Sequence, residues 1–207
     1  YKDSAAAAPF YERLLAGVRA LPGVQSAGVT DAVLFKEDDS GAYFIEGRDI
    51  SDAQPAPLGY MDIVDEDYFR TLQIPLLQGR QFQTSDDVNA PKVVIVDELF
   101  VRKFFPGESV LGKRIAMRDV NNARIWQTIV GVVATVKRDK LYEYPDIETI
   151  YRNFHQSPTR VFNVVMKTRL AAAELIAPLG VTPPKMDPEQ AGIDSPTIRA
   201  LLHARRD

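Results

Sequence analysis

The chain has 207 residues, 45% of them hydrophobic and 26% charged, a composition that excludes intrinsic disorder and a length that supports one domain or two small subdomains burying roughly 70% of the unfolded surface. The formal net charge is -3, with Lys and Arg scattered among Asp and Glu, so the basic concentration that nucleic-acid binding requires is missing. There is no cysteine, which removes disulfides, zinc–thiolate centres and thiol nucleophiles together.

No apolar run approaches the roughly 18 to 20 residues that cross a bilayer, and no signal peptide is visible. The sequence opens at Tyr1 without a Met and stops at Ala204-Arg205-Arg206-Asp207, directly behind an apolar stretch. Both ends read as cut from a longer protein.

Phe10, Leu14, Val18 and Leu21 recur at helical spacing, which predicts an amphipathic helix over Pro9 to Leu21. Pro9 suits its first turn and Pro22-Gly23 stops it. Val24 to Phe35 reads as a strand, Lys36 to Gly41 as a polar turn, and Ala42 to Gly47 as a second strand before a Pro-containing loop to about Pro57. Next come two similar units. Tyr60 to Val64 is a strand leading into a helix over Asp65 to Leu72, with Asp65 as its cap; Lys92 to Val96 is a strand leading into a helix over Asp97 to Phe105, capped by Asp97. Ile63-Val64-Asp65-Glu66 matches Ile95-Val96-Asp97-Glu98, and Gly79-Arg80-x-Phe82 answers Gly112-Lys113-x-Ile115. A duplicated unit and a recurring local solution both fit that similarity.

Ile125 to Val136 is a β-branched strand in which Gly131 predicts a bulge or bend. Thr149 to Asn153 and Val161 to Thr168 are further strands. Leu170 to Leu179 reads as a helix, as does Pro196 to Ala204, with Ser195 as cap and Pro196 in the first turn. This mixed order implies an α+β fold and not a Rossmann array.

The chemistry-bearing candidates are few. Gly107 to Arg114 satisfies G-x-x-x-x-G-K, but Arg114 stands where a P-loop needs a hydroxyl for magnesium, and the segment follows a helix instead of a strand. It reads as a turn with Gly112 in a permissive conformation. His155 and His203 are the only histidines and read as solvated surface residues. Asp38-Asp39 and Asp86-Asp87 read as loop acids, and Asp65-Glu66-Asp67 as helix-start acids favoured by the dipole. Trp126 heads an apolar strand and reads as core. No catalytic, cofactor-binding or metal-ligating residue is assigned, no cofactor is called for, and the residues of a binding surface stay unassigned. Apolar side chains around Phe104-Phe105-Pro106-Gly107 serve either as contacts or, more simply, as core packing.

An ordered series of phrases nevertheless resembles one family. It runs from Phe10-Tyr11-Glu12-Arg13-Leu14-Leu15 and Leu21-Pro22-Gly23-Val24 through Asp67-Tyr68-Phe69-Arg70-Thr71-Leu72-Gln73-Ile74-Pro75 and Leu77-x-Gly79-Arg80-x-Phe82. Val93 to Asp97, Phe104-Phe105-Pro106-Gly107, Leu111-Gly112-Lys113-Arg114-Ile115, Thr128-Ile129-Val130-Gly131-Val132-Val133 and Met186-Asp187-Pro188-Glu189-Gln190 continue it. Over residues 9 to 205 the sequence is similar to the MacB-like periplasmic core domain of FtsX-type, duplicated ABC-transporter permeases.

The resemblance implies an extracytoplasmic domain inserted between the first two membrane helices of a permease in the bacterial cytoplasmic membrane, with no enzymatic activity of its own. It implies a porter-like α/β part, placed at 1–60 plus 160–207, and a central mixed α/β subdomain at 61–159. A cytoplasmic ABC ATPase subunit would act through the membrane helices, and the domain would couple their motion to a periplasmic adaptor protein or an amphiphilic substrate, in efflux or mechanotransmission. A ligand-binding or sensory ectodomain is the alternative reading. One departure is evident: Pro178, Gly180, Pro183 and Pro184 break the helix that the family continues over 176–190.

Overall fold

The computed structural model of the protein describes residues 8–32, 40–48, 56–119, 121–136, 147–157, 159, 162–169 and 200–202. Helix α1 (Ala8–Arg19) presents Tyr11, Leu14, Leu15 and Val18 inward on one stripe. It ends where Gly23 takes a left-handed φ of 83°, a conformation that suits glycine. Strand β1 (Val24–Thr30) follows and pairs antiparallel with β9 (Asn163–Thr168). Residues 200–202, expected in a helix, form a short strand β10 parallel to β9. Three apolar positions, Ala200-Leu201-Leu202, fit either periodicity, and the open edge of β9 decides between them.

These three strands form a small sheet with a helix on each face. Alternation along β9 sends Val164 and Met166 toward α1, together with Ala27 and Val29 of β1. Val165 points the other way, toward Tyr68 and Phe69 of α2 (Tyr68–Thr71).

The other strands close on themselves. β3 (Leu58–Val64) pairs antiparallel with β2 (Ser40–Ile45), β2 with β6 (Arg114–Arg118), and β6 with β7 (Arg124–Val133). β7 lies parallel to β5 (Val93–Asp97), β5 antiparallel to β8 (Thr149–Asn153), and β8 returns parallel to β3 from Tyr60 to Val64. Six strands thereby make a ring, which removes the open edges a flat sheet would expose. Its interior is filled by Tyr43, Ile45, Val94, Val96, Ile115, Met117, Ile129 and Ile150, with Phe100 added from α3 (Glu98–Phe104). Val93, Ile95 and Tyr151 face outward and pack under α2. That helix therefore sits between the ring and the three-stranded layer, sharing Phe69, fully buried, with both. Truncating such a side chain to Ala costs about 3–5 kcal/mol.

Strand β4 (Leu76–Gly79) lies off this path against β7. Beside it, Val94 pairs with Ile129 but Ile95 with Gly131, so Val130 is an extra residue in β7, the bulge expected at Gly131. Glycine is required there: a Cβ on Gly131 would stand 2.2 Å from the Arg80 carbonyl oxygen.

The two similar units are not equivalent. In α3 the Asp97 side chain accepts the Phe100 N–H at 2.9 Å, as expected of a cap. In α2 the cap position is Asp67, with no side-chain cap bond, because Asp65 turns away to accept the Val29 N–H of β1 at 3.0 Å. Strand β2, grouped with the chain ends in the sequence-based division, hydrogen-bonds within the ring. The helix expected over Leu170 to Leu179, the prolines of 176–190, Asp38-Asp39 and His203 lie outside the described residues.

Candidate functional site

The acidic run Asp65-Glu66-Asp67 is not a solvated helix start. It forms a polar corner where the layer of α1 meets the ring. Arg19, at the last turn of α1, where positive charge suits the dipole, reaches the Ala27 carbonyl at 3.0 Å, Asp65 at 3.4 Å and Asp67 at 2.7 Å. Asp67 also pairs with Arg70 at 2.7 Å. Glu66 meets His155 Nε2 at 3.3 Å, and the other ring nitrogen lies 4.0 Å from Glu12 on α1. His155, expected on the open surface, is in fact only 20% exposed in its side chain. Strand β8 ends in a turn that brings it there, with its own N–H held by the Asn153 side chain at 2.7 Å. Tyr11, Leu15 and Phe154 complete a small cavity of about 70 Å³ around these groups.

The electrostatics follow from this packing. Hydrogen bonding to Glu66 raises the His155 pKa above its ordinary value, and the same bond lowers that of Glu66. Burial pushes Asp65 up to about 7, against the stabilising Val29 N–H and Arg19. The two ring nitrogens of His155 face different carboxylates, so the corner is built as a proton-bearing clasp and not as a chelate. Among the described residues no group of His, Asp and Glu is arranged to hold a metal ion.

Two other polar sites are interior. Asp86, expected in a solvated loop, is buried and takes two bonds from Arg80, at 2.7 and 2.8 Å, plus the Gln83 N–H at 2.9 Å. Burial opposes its charge, yet these donors hold its pKa below the ordinary value. Its neighbour Asp87 accepts the Asn89 and Ala90 amides in an exposed turn. Glu148, which has no sequence signature, is fully buried between the Tyr43 hydroxyl and Lys103 Nζ, the latter at 2.9 Å. Burial raises the Tyr43 pKa, so its hydroxyl stays a donor. Asp97, nearby, is pushed up to about 6 by burial.

Gly107 to Arg114 is a turn region, with Gly107 and Gly112 both at positive φ, as expected. Arg114 leaves it to stack on Trp126, 5.3 Å from the ring. Trp126 is half-buried on the outer face of β7 and belongs to none of the core clusters, a correction explained by that cationic cover. Phe105 is core, but with Pro106, Gly107, Val101, Leu77 and Val132 it also lines a mainly apolar groove of about 500 Å³ between α3 and β4. Leu76, Leu77 and Leu111 are the exposed apolar side chains of this region.

Nothing in these sites brings together a nucleophile, a base and an oxyanion donor set. Sequence reasoning missed Arg19, Arg80, Lys103 and Glu148. Arg19, Lys103 and Glu148 act through partners more than forty residues away, so spacing carries no signal for them, while Arg80 meets Asp86 six residues on, within a loop of no regular period.

Comparison with known proteins agrees with the architecture. The structure superposes on the periplasmic region of MacB from Actinobacillus actinomycetemcomitans with a TM-score of 0.54 and 15% identity, covering 80% of this chain and 68% of that one. It also superposes on the extracellular domain of the noncanonic ABC-type transporter YknZ from Gram-positive bacteria, with a TM-score of 0.51, 14% identity, and coverage of 82% and 77%. A domain of a putative permease protein from Porphyromonas gingivalis gives 0.50, 15%, 78% and 70%. The comparison with curated protein sequences finds no match. At these identities the structures speak for the fold, and no described helix is long and apolar enough to cross a membrane. The family match itself runs over residues 4–175, and the chain belongs to the MacB-like periplasmic core domain family, the extracytoplasmic domains of ABC-transporter permeases.

Proposed function

We propose that this domain is a non-enzymatic coupling module: it takes up motion of the permease's membrane helices and delivers it to a periplasmic adaptor protein or an amphiphilic substrate, while a cytoplasmic ABC ATPase subunit supplies the energy. The observation that carries this reading is the position of α1 and β10. α1 packs on β1, and β10 joins the same layer through β9. A displacement of either segment therefore reaches the ring through the same few contacts: α2, the short β1–β3 junction at Thr30–Val64, and the Arg19–Asp65–Glu66–His155 corner. We divide the molecule accordingly into that layer, built from both ends of the sequence, and a ring that includes β2.

The experiment uses the full-length gene product with its natural flanks, probed by external protease in intact spheroplasts. Cleavage within this domain, with membrane helices on both sides, is the expected result; protection would overturn the reading. Tight magnesium-dependent ATP binding by the domain alone would overturn its non-enzymatic part. The groove beside β4 favours a second reading, a ligand-binding ectodomain, because it is mainly apolar with Glu98 and Arg102 at its rim. Saturable binding of an apolar fluorophore that is lost in Leu77→Glu would support it.

A further inference from the structure

The outer face of the ring carries a pair of charges that no carboxylate among the described residues neutralises. Arg118 of β6 and Arg124 of β7 are direct cross-strand partners, an arrangement in which like charges destabilise a sheet. Both guanidinium groups extend over the ring of Phe44 on β2, at 5.0 and 4.2 Å from its centroid. Ala116, the residue paired with Phe44, puts no large side chain beside that ring. The ring's negative face offsets part of the repulsion, but it supplies no counter-charge.

The described acids nearest to them make other contacts. Glu46 pairs with Arg114 at 3.0 Å. Asp119 uses Oδ1 to accept the Asn121 and Ala123 amides, at 2.9 and 2.8 Å. Among the described residues, neither Arg118 nor Arg124 is ion-paired with a carboxylate. Arg118 is also held in place: its Nη1 donates to the Asn122 carbonyl at 3.0 Å and to the Asn122 side-chain oxygen at 2.9 Å. The tight turn behind these bonds puts Asn122 at a φ of 64°, a left-handed conformation that asparagine tolerates better than most residues. One guanidinium is thus fixed with its remaining N–H donors uncommitted, and the second lies directly across the ladder from it.

We propose that Arg118 and Arg124, seated on Phe44, form a binding site for a phosphate-class oxyanion. Two planar forks with a combined charge of two match a phosphate dianion, with oxygens for both, better than a single carboxylate, which one fork saturates. The site lies on the ring's outer wall, away from the His155 corner and the groove, and it does not depend on the coupling role proposed above.

Thermal unfolding tests the site directly. About 10 mM inorganic phosphate, against chloride at equal ionic strength, raises the Tm of the wild-type chain by about 2–4 °C and leaves Arg118→Gln unmoved. Arg124→Glu is the second variant. It replaces the repulsion by a cross-strand ion pair, so it is at least as stable as wild type in low salt and gives no phosphate response. Flotation with phosphatidylglycerol vesicles, against phosphatidylcholine vesicles, then separates two sources of the phosphate. Arginine-dependent binding to the anionic vesicles assigns a lipid headgroup; a phosphate response without vesicle binding assigns a soluble phosphate ester. An equal phosphate-induced rise in wild type and both variants would be the general salting effect and would overturn the proposal. A marked loss of stability in Arg124→Glu at low salt would also overturn it, since the arginines would then be only a cover for Phe44.

Discussion

Replacing His155 by Gln should make folding less dependent on pH, and the size of the change follows from the corner. In the native state the imidazolium is held by Glu66 at 3.3 Å and faces Glu12 at 4.0 Å, with Asp65 and Asp67 of the β3–α2 junction and Arg19 of α1 closing the site. A hydrogen bond to a charged partner contributes about 1.5–3 kcal/mol when sheltered. Both side chains retain some exposure, 20% and 27%, so about 1 kcal/mol is the reasonable figure after screening. His155 has a raised pKa in the folded state. Its contribution is therefore complete below the unfolded value of 6.5 and is lost as pH rises through the folded one. Glu66, with a lowered pKa, contributes above its unfolded value of 4.5 and loses that as pH falls further. The clasp is strongest between the two. Urea unfolding at about pH 5.5 and about pH 8 should show the wild-type advantage over His155→Gln shrinking by about 1 kcal/mol, or about 2–4 °C in Tm. An unchanged advantage at the two pH values would mean that the His155–Glu66 contact carries no charge, and the account of the corner would fail.

Two more outcomes test the ring. Gly131→Ala should lower stability by about 2–4 kcal/mol, because the added Cβ meets the Arg80 carbonyl at 2.2 Å and must push β4 off β7; denaturant titration together with faster amide exchange at Arg80 checks it. Asp97→Asn keeps the oxygen that caps α3 and removes a carboxylate whose pKa burial raises to about 6. Because the folded pKa lies above the ordinary 3.8, wild type loses stability as pH rises from about 4 to about 6 and is level above that, so the variant should gain on wild type across that window and hold the gain to about pH 8. A constant difference in Tm from about pH 4 to about pH 7 would refute the assignment.

Local signals in the sequence account for much of this fold. Asp97 before an apolar helix, β-branched runs in β5, β7 and β8, and Gly131 inside β7 each announce their role within a few residues. The polar corner was not legible in the same way. Asp65 and Asp97 stand in matching tetrapeptides, yet one is drawn to β1 and the other caps its own helix, because only Asp65 has an unpaired Val29 amide within reach. His155 looked solvated because Glu66, 89 residues earlier, reaches it only after β8 has paired with β3. Likewise Ala200-Leu201-Leu202 becomes a strand because β9 offers it an edge, a fact stored in tertiary pairing and not in local propensity.

Strand β3 belongs to both parts of the molecule, and the two attachments differ mechanically. Toward the ring, partners run continuously from Tyr60–Thr149 to Val64–Asn153, so a pull along β3 loads the whole ladder in shear and its bonds resist together. Toward the layer, the only register pair joining β3 to β1 is Val64 with Thr30, flanked by the Asp31 N–H on the Ile63 carbonyl and the Asp65 N–H on the Val29 carbonyl, a short seam whose few bonds are loaded one after another. Strain entering through α1 or β10 should therefore collect at this short junction and the α2 and Arg19–Asp65 contacts beside it before it reaches the ring ladder.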